Sequence, residues 1–447
     1  MRLMKTLQLS GVARALGATR RVWLFGLAMA ASGAAYADSV QIQVWHTLMG
    51  PNKAEFEKLV KQYNKEQGDV EVTLRAFPTQ AALKQEAVAS RKAKNGPNLV
   101  QLDDNHSPEV VAEHRDILPM YELLAKYPIK DANWFLPTTS SFTRDARGRL
   151  LAFPWMAEIP VMFYNLDQYK KAGLDPAKPA RTWADLQGDL LKLRDVAESN
   201  CPYATSEQVS VHLENLAPLN GQTYTSNENG LDSKSRAAAA LQFDTLYMRH
   251  LSLMVSWKRS ELFTNHSEDR ASDALFAKGD CSVLTTGSGA LGQFLAAKSL
   301  KFGVAPLPFY DQATKTAGRP FVSGAALWAI EGHPQSQEKA TAQFLAWLSK
   351  PVIAAEWHQR TGYLPLTEAA FRASDVSFYD RMPGAQQLVA AMRSQPVASG
   401  RGFRMANYDR IEPVLSQGLN EALEGRTPPM AALNNAASQA RAIAQQK

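Results

Sequence analysis

The residues with the most evident chemical potential lie at 287–292: Gly287-Ser288-Gly289-Ala290-Leu291-Gly292, a G-x-G-x-x-G run between a strand pattern and a helical one. In a dinucleotide-binding unit such glycines let backbone N–H groups approach a pyrophosphate, and an acid ending the next strand takes the ribose hydroxyl. Residues 298–310 carry no acid, so a dinucleotide is not expected. Two readings remain open: a turn that presents backbone N–H groups to an anion, or a tight strand-to-helix turn with packing as its purpose.

Carboxylates are the second resource. Asp103-Asp104, or Asp104 with Glu158, could serve as the paired acid and base of a glycosidase. The same groups in a binding site would accept hydrogen bonds from ligand hydroxyls. The eight histidines (46, 106, 114, 212, 250, 266, 333 and 358) show no H-x-x-x-H or H-E-x-x-H pair, so no metal site is expected. Trp45, Trp155, Trp183, Tyr164 and Tyr363 are aromatic candidates for stacking on a carbohydrate or polyol, though each could equally be a core residue.

Composition narrows the field. The chain has 447 residues, 45% hydrophobic and 21% charged, an ordinary globular mix. Its net charge of +6 is concentrated at one end. Five of the 49 basic residues fall in residues 1–37, which hold no acid, so the remainder is close to neutral and nucleic acid is not an expected partner. That leader runs from Arg20-Arg21 through the apolar Val22-to-Ala31 stretch to Ala35-Tyr36-Ala37, a signal-peptide pattern with cleavage after Ala37. The apolar run is too short to span a bilayer, so periplasmic export is expected. In that oxidising setting Cys201 and Cys281 are expected to pair, two buried thiols being the alternative.

These groups need elements to hold them. Strand patterns fall at 40–46, 70–77, 98–102, 160–164, 281–285, 302–306 and 324–330. Helical patterns fall at 52–66, 81–94, 183–199, 235–251, 336–350 (closed by Pro351) and 430–446. Strand-helix-strand alternation predicts an α/β protein with parallel sheets covered on both faces, binding ligands at the carboxyl ends of its strands.

Five stretches carry a family resemblance: Val44 to Gly50; Phe163-Tyr164-Asn165 with Ala172 to Pro176 and Thr182 to Leu186; Gly279 to Gly289; Ser323 to Trp328; and Glu356-Trp357-His358-Gln359-Arg360-Thr361-Gly362-Tyr363-Leu364-Pro365-Leu366-Thr367. Together they resemble the family 1 extracellular solute-binding proteins of ABC importers, and within them the branch serving sn-glycerol 3-phosphate. The resemblance implies a two-lobed periplasmic binding protein fold with an interlobe ligand cleft and several hinge crossings. It implies binding without catalysis, no cofactor, a monomer, and delivery of a small molecule to transmembrane permease subunits. Lobe 1 is expected at 38–152 plus 303–350, and lobe 2 at 153–302 plus 351–447.

The implied ligand residues transfer singly. Tyr363 is the pocket tyrosine, Arg404 the arginine that grips a phosphate, Gly324 the backbone glycine, Trp183 the tryptophan after a threonine, and Asp104 stands for a glutamate. Three positions depart from the pattern. Gln80 replaces a tyrosine, Gly287 a serine (with Ser288 next to it), and Glu158 a serine. Sugar-binding members often carry a glutamate near Glu158, and an added carboxylate repels phosphate while accepting hydroxyls or a cation. The ligand that the resemblance implies is glycerol 3-phosphate, a glycerophosphodiester, or both, and the departures keep a neutral sugar or polyol as the alternative. A secreted glycoside hydrolase or phosphodiesterase is the competing class, and it lacks a nucleophile motif and metal ligands here.

Overall fold

A computed structural model describes residues 39–92, 95–104, 116–130, 132–135, 142–145, 147–231, 239–266, 270–385, 388 and 400–446. The leader and its cleavage site, His106 and His114 fall outside these residues.

Among the described residues, ten strands form two five-stranded sheets of order β2-β1-β3-β10-β4 and β7-β6-β8-β5-β9. In the first sheet β1 (Val40–His46) pairs in parallel with β2 (Val70–Ala76) and β3 (Leu99–Asp103). There β10 (Ser323–Ala329) runs antiparallel between β3 and β4 (Phe153–Glu158). In the second sheet β6 (Tyr203–Thr205) is parallel to β7 (Phe263–Thr264) and β8 (Val283–Gly287). There β5 (Pro160–Asn165) runs antiparallel to both β8 and β9 (Phe302–Pro306). Both sheets are thus mixed, which corrects the expectation of parallel sheets. Crossover helices enforce parallel pairing only between consecutive units, whereas β5 and β10 each enter their sheet directly from the other one.

The helices follow their apolar spacing. Gly50–Glu66 buries Phe56, Leu59, Val60 and Tyr63 against the first sheet. Trp183–Asp195 buries Trp183, Leu186, Leu190 and Leu193 against the second, and Thr182 caps it by accepting from the Asp185 amide at 3.0 Å. The helix expected at 235–251 instead spans Thr245–Arg259. Asp244 caps its start by accepting from the Leu246 amide at 2.9 Å, while Gln242 N–H is tied to the Tyr224 carbonyl. Pro351 does not only end the Gln335–Leu348 helix. It opens the next one, Pro351–Thr361, where a missing N–H costs nothing.

By strand pairing the chain passes between the sheets at Ile159, between β4 and β5, and again between β9 and β10. Residues 351–370 pack in the core of the first sheet, and Tyr408–Leu423 and Pro429–Ala444 in that of the second. Cys201 and Cys281 are disulfide-bonded across an 80-residue separation, fastening the segment before β6 to the start of β8. Among the described residues no helix is long and apolar enough to cross a membrane.

Candidate functional site

The carboxyl ends of β1, β3, β4, β6 and β8 converge on a cleft of ≈ 880 Å³. Its first wall comes from the turn after β1, the β3 end with Asp103 and Asp104, and Gly324 at the start of β10. Its second wall comes from Glu207 after β6, Gly289 after β8, and Arg270, the left-handed residue (φ 57°) that precedes helix Ala271–Lys278. Tyr363 also lines the cleft. Behind it Trp357 stacks at 5.6 Å and Trp155 stacks on Trp357 at 5.0 Å. This column explains Trp155: it backs the cleft-lining tyrosine without lining the cleft itself.

Charge is distributed unevenly. Seven carboxylates line the cleft, among them Asp103, Asp104, Glu158, Glu207 and Glu214, and among the described residues Arg270 is the only cationic side chain on its walls. Arg270 is shared: its guanidinium contacts Glu207, lies 3.5 Å from Glu158 Oε1 and 3.5 Å from Asp273 Oδ2. Burial opposes its charge, but Glu207, Glu158 and Asp273 prevail and hold its pKa well above the ordinary value. Burial, then the fields of Glu214, Asp103, Glu207 and Glu158, pushes the Asp104 carboxyl well above the carboxylate range. Burial raises Glu214 to about 7, against a hydrogen bond from Tyr408 Oη at 2.5 Å that stabilises its charge. Among the described residues, the cleft walls are thus richer in acidic side chains than in basic ones.

Gln80 points the same way. Its Nε2 donates to Thr47 Oγ1 and to Asp103 Oδ1, both at 2.9 Å, which fixes the amide orientation because a carboxylate can only accept. Its Oε1 is then a buried acceptor on the cleft wall without a donor among the described residues.

Of the expected site residues, the structure brings Gln80, Asp104, Glu158, Gly324 and Tyr363 together on the cleft. The others stand elsewhere. Gly287 lies just behind Glu158, and Ser288 is buried at the chain crossing, its amide donating to the Ile159 carbonyl at 2.8 Å. Trp183 is a core residue of the second sheet, edge-on to His250 at 4.7 Å. Arg404 is off the cleft walls, its guanidinium donating to the Arg144 carbonyl and its amide to the Asn229 carbonyl at 2.8 Å. Sequence reasoning missed Arg270, Glu207, Asp273 and Glu214. The available signal was a charged residue just past a strand end, as Glu207 follows Thr205, but β6 and β7 were too short to be recognised.

Two sheets with a cleft at their strand ends form the architecture of a solute receptor. The sequence profile of the bacterial extracellular solute-binding proteins matches residues 58–384, and the chain belongs to that family. Its members bind solutes and are not enzymes. Among its relatives, the sn-glycerol-3-phosphate-binding periplasmic protein UgpB of Yersinia pseudotuberculosis is 32% identical over 400 residues, 88% of this chain and 90% of the relative. The UgpB of Escherichia coli K12 is 30% identical over the same shares. Similar solved structures include UgpB of Mycobacterium tuberculosis in complex with glycerophosphocholine (TM-score 0.73, 19% identity, 91% and 98% of the two chains). Another is the maltose-bound MalE3 of T. maritima (TM-score 0.70, 17% identity, 91% and 100%). These two share the fold.

Proposed function

We propose that this chain is the periplasmic receptor of an ABC importer, and that it captures a hydroxyl-rich small solute carrying no net negative charge and hands it to the permease. A sugar, a polyol or a zwitterionic glycerophosphodiester satisfies that description. The carrying observation is the cleft itself: among the described residues its walls hold seven carboxyl side chains and one arginine, which is shared among Glu207, Glu158 and Asp273. A phosphate monoester dianion would have to compete with Glu158, Glu207 and Asp273 for Arg270, against their like-charge repulsion. Hydroxyl or ammonium donors would instead meet Asp104, Glu207 and the Gln80 carbonyl oxygen, with Tyr363 as a stacking face.

The relatives favour a second reading. Two named sn-glycerol-3-phosphate-binding proteins are 30–32% identical over 88% of the chain, and under that reading Arg404 would have to reach the ligand's phosphate. A thermal-shift panel separates the two, because a ligand that binds only the folded receptor raises its melting temperature. Uncharged sugars and polyols, glycerophosphocholine and glycerol 3-phosphate form its three arms. Stabilisation by a member of the first two, with none by glycerol 3-phosphate, is the expected result. Stabilisation by glycerol 3-phosphate alone would replace this reading with the second.

A further inference from the structure

Glu158 ends β4 in one sheet, Ile159 makes the crossing, and Pro160 opens β5 opposite Gly287 in the other. This topology delivers the Glu158 carboxylate to the turn after β8. There its Oε2 accepts from the Gly289 amide at 2.7 Å, and its Oε1 lies 3.5 Å from Arg270 Nη2. A backbone N–H and a guanidinium converging on one group is the donor set that recognises any small oxyanion. Gly287 makes the room. Its φ of −63° is open to every residue, so backbone freedom does not explain a glycine. A Cβ there would overlap the carboxylate of Glu158, 2.8 Å from its Cδ, and would stand 2.9 Å from Glu207 Oε2.

We propose that Glu158 and Gly287 act as one specificity-determining pair: the carboxylate is a built-in occupant of an oxyanion seat formed by Gly289 N–H and Arg270, and a residue with a side chain at 287 would expel it. While the carboxylate is in place, it holds the Gly289 N–H that a ligand phosphate would need and shares Arg270. Once it is removed, the seat takes a phosphate. The proposal deepens the reading of the ligand as lacking net negative charge, but its test does not depend on which solute the receptor carries.

The test is a double-mutant cycle on the mature full-length chain, comprising Glu158→Ser, Gly287→Ala and the pair, followed by urea denaturation and by calorimetric titration with inorganic phosphate. Gly287→Ala should lower the unfolding midpoint in the native background and lower it much less beside Glu158→Ser. If Gly287→Ala alone fails to fold, a folded double variant is the same rescue. Glu207 and Asp273 still hold Arg270 in Glu158→Ser, so phosphate affinity should rise by about tenfold, the effect of 1.4 kcal/mol, and Arg270→Gln should erase the gain. An equal loss from Gly287→Ala in both backgrounds, or phosphate affinity unchanged by Glu158→Ser, would overturn the proposal. A failed solute panel with an intact cycle would instead implicate the ligand reading.

Discussion

Glu214 sits where a cleft carboxylate meets the core of the second sheet, and burial moves its pKa from 4.5 to about 7. The folded state therefore holds this proton more tightly than the unfolded chain does. Its contribution to stability is full below pH 4.5 and is lost as pH rises through about 7, a loss of about 3 kcal/mol. Asp104 is shifted in the same direction, so the native protein keeps some of this slope in any single variant. Urea denaturation at pH 5 and pH 8 should show Glu214→Gln losing less stability with rising pH than the native chain; identical slopes would refute the assignment. Arg404→Ala supplies a contrast. Because the side chain donates to the Arg144 carbonyl off the cleft walls, the variant should unfold at lower urea while keeping its affinity for the physiological solute. A large affinity loss would restore Arg404 to the site. At this scale the sequence was half legible. Tyr363 and Asp104 were marked by the resemblance and by acids at a strand end, whereas Trp183 and Arg404 belong to types that packing uses as readily as binding does.

Elements place these residues, and two carry sharp expectations. Gly324 bends the start of β10 with φ +93°, and a Cβ there would overlap the Met156 carbonyl oxygen and approach Glu158 Cγ to 3.0 Å. Gly324→Ala should therefore cost at least about 1–3 kcal/mol in urea denaturation; a neutral result would mean that β4 can withdraw freely. The disulfide closes a separation of 80 residues, so replacing both cysteines by alanine should cost about 4 kcal/mol on the chain-entropy account. Loss of under 1 kcal/mol would place the stability of β8 in its packing alone. Long periodic elements such as β1 and Gly50–Glu66 were readable from their apolar spacing. The two-residue β7 and three-residue β6 were not, because a period needs more residues than they have. Strand direction in β5 and β10 was also hidden, since it is set by which sheet the chain has just left.

At the scale of the molecule, the chain crossings join two sheets, each with an apolar cluster of its own and one cluster shared between them, and several crossings beside a cleft suit closure by hinge motion when a ligand bridges both walls. Small-angle scattering should show a smaller radius of gyration on saturation with the physiological solute, and no change would argue against closure. The receptor class was legible because it rests on motifs spread over the whole chain. The ligand was not, because cleft charge depends on Arg270, Glu207, Asp273 and Glu214, which meet only after folding. Isothermal titration of the purified receptor, with glycerol 3-phosphate set against glycerophosphocholine and uncharged sugars and polyols, decides which charge class of solute the cleft accepts. Binding at about micromolar Kd or tighter, worth about 8 kcal/mol, by a solute without net negative charge, and none by glycerol 3-phosphate, is the result predicted. Comparable affinity for glycerol 3-phosphate, with no response to the uncharged and zwitterionic solutes, would contradict it.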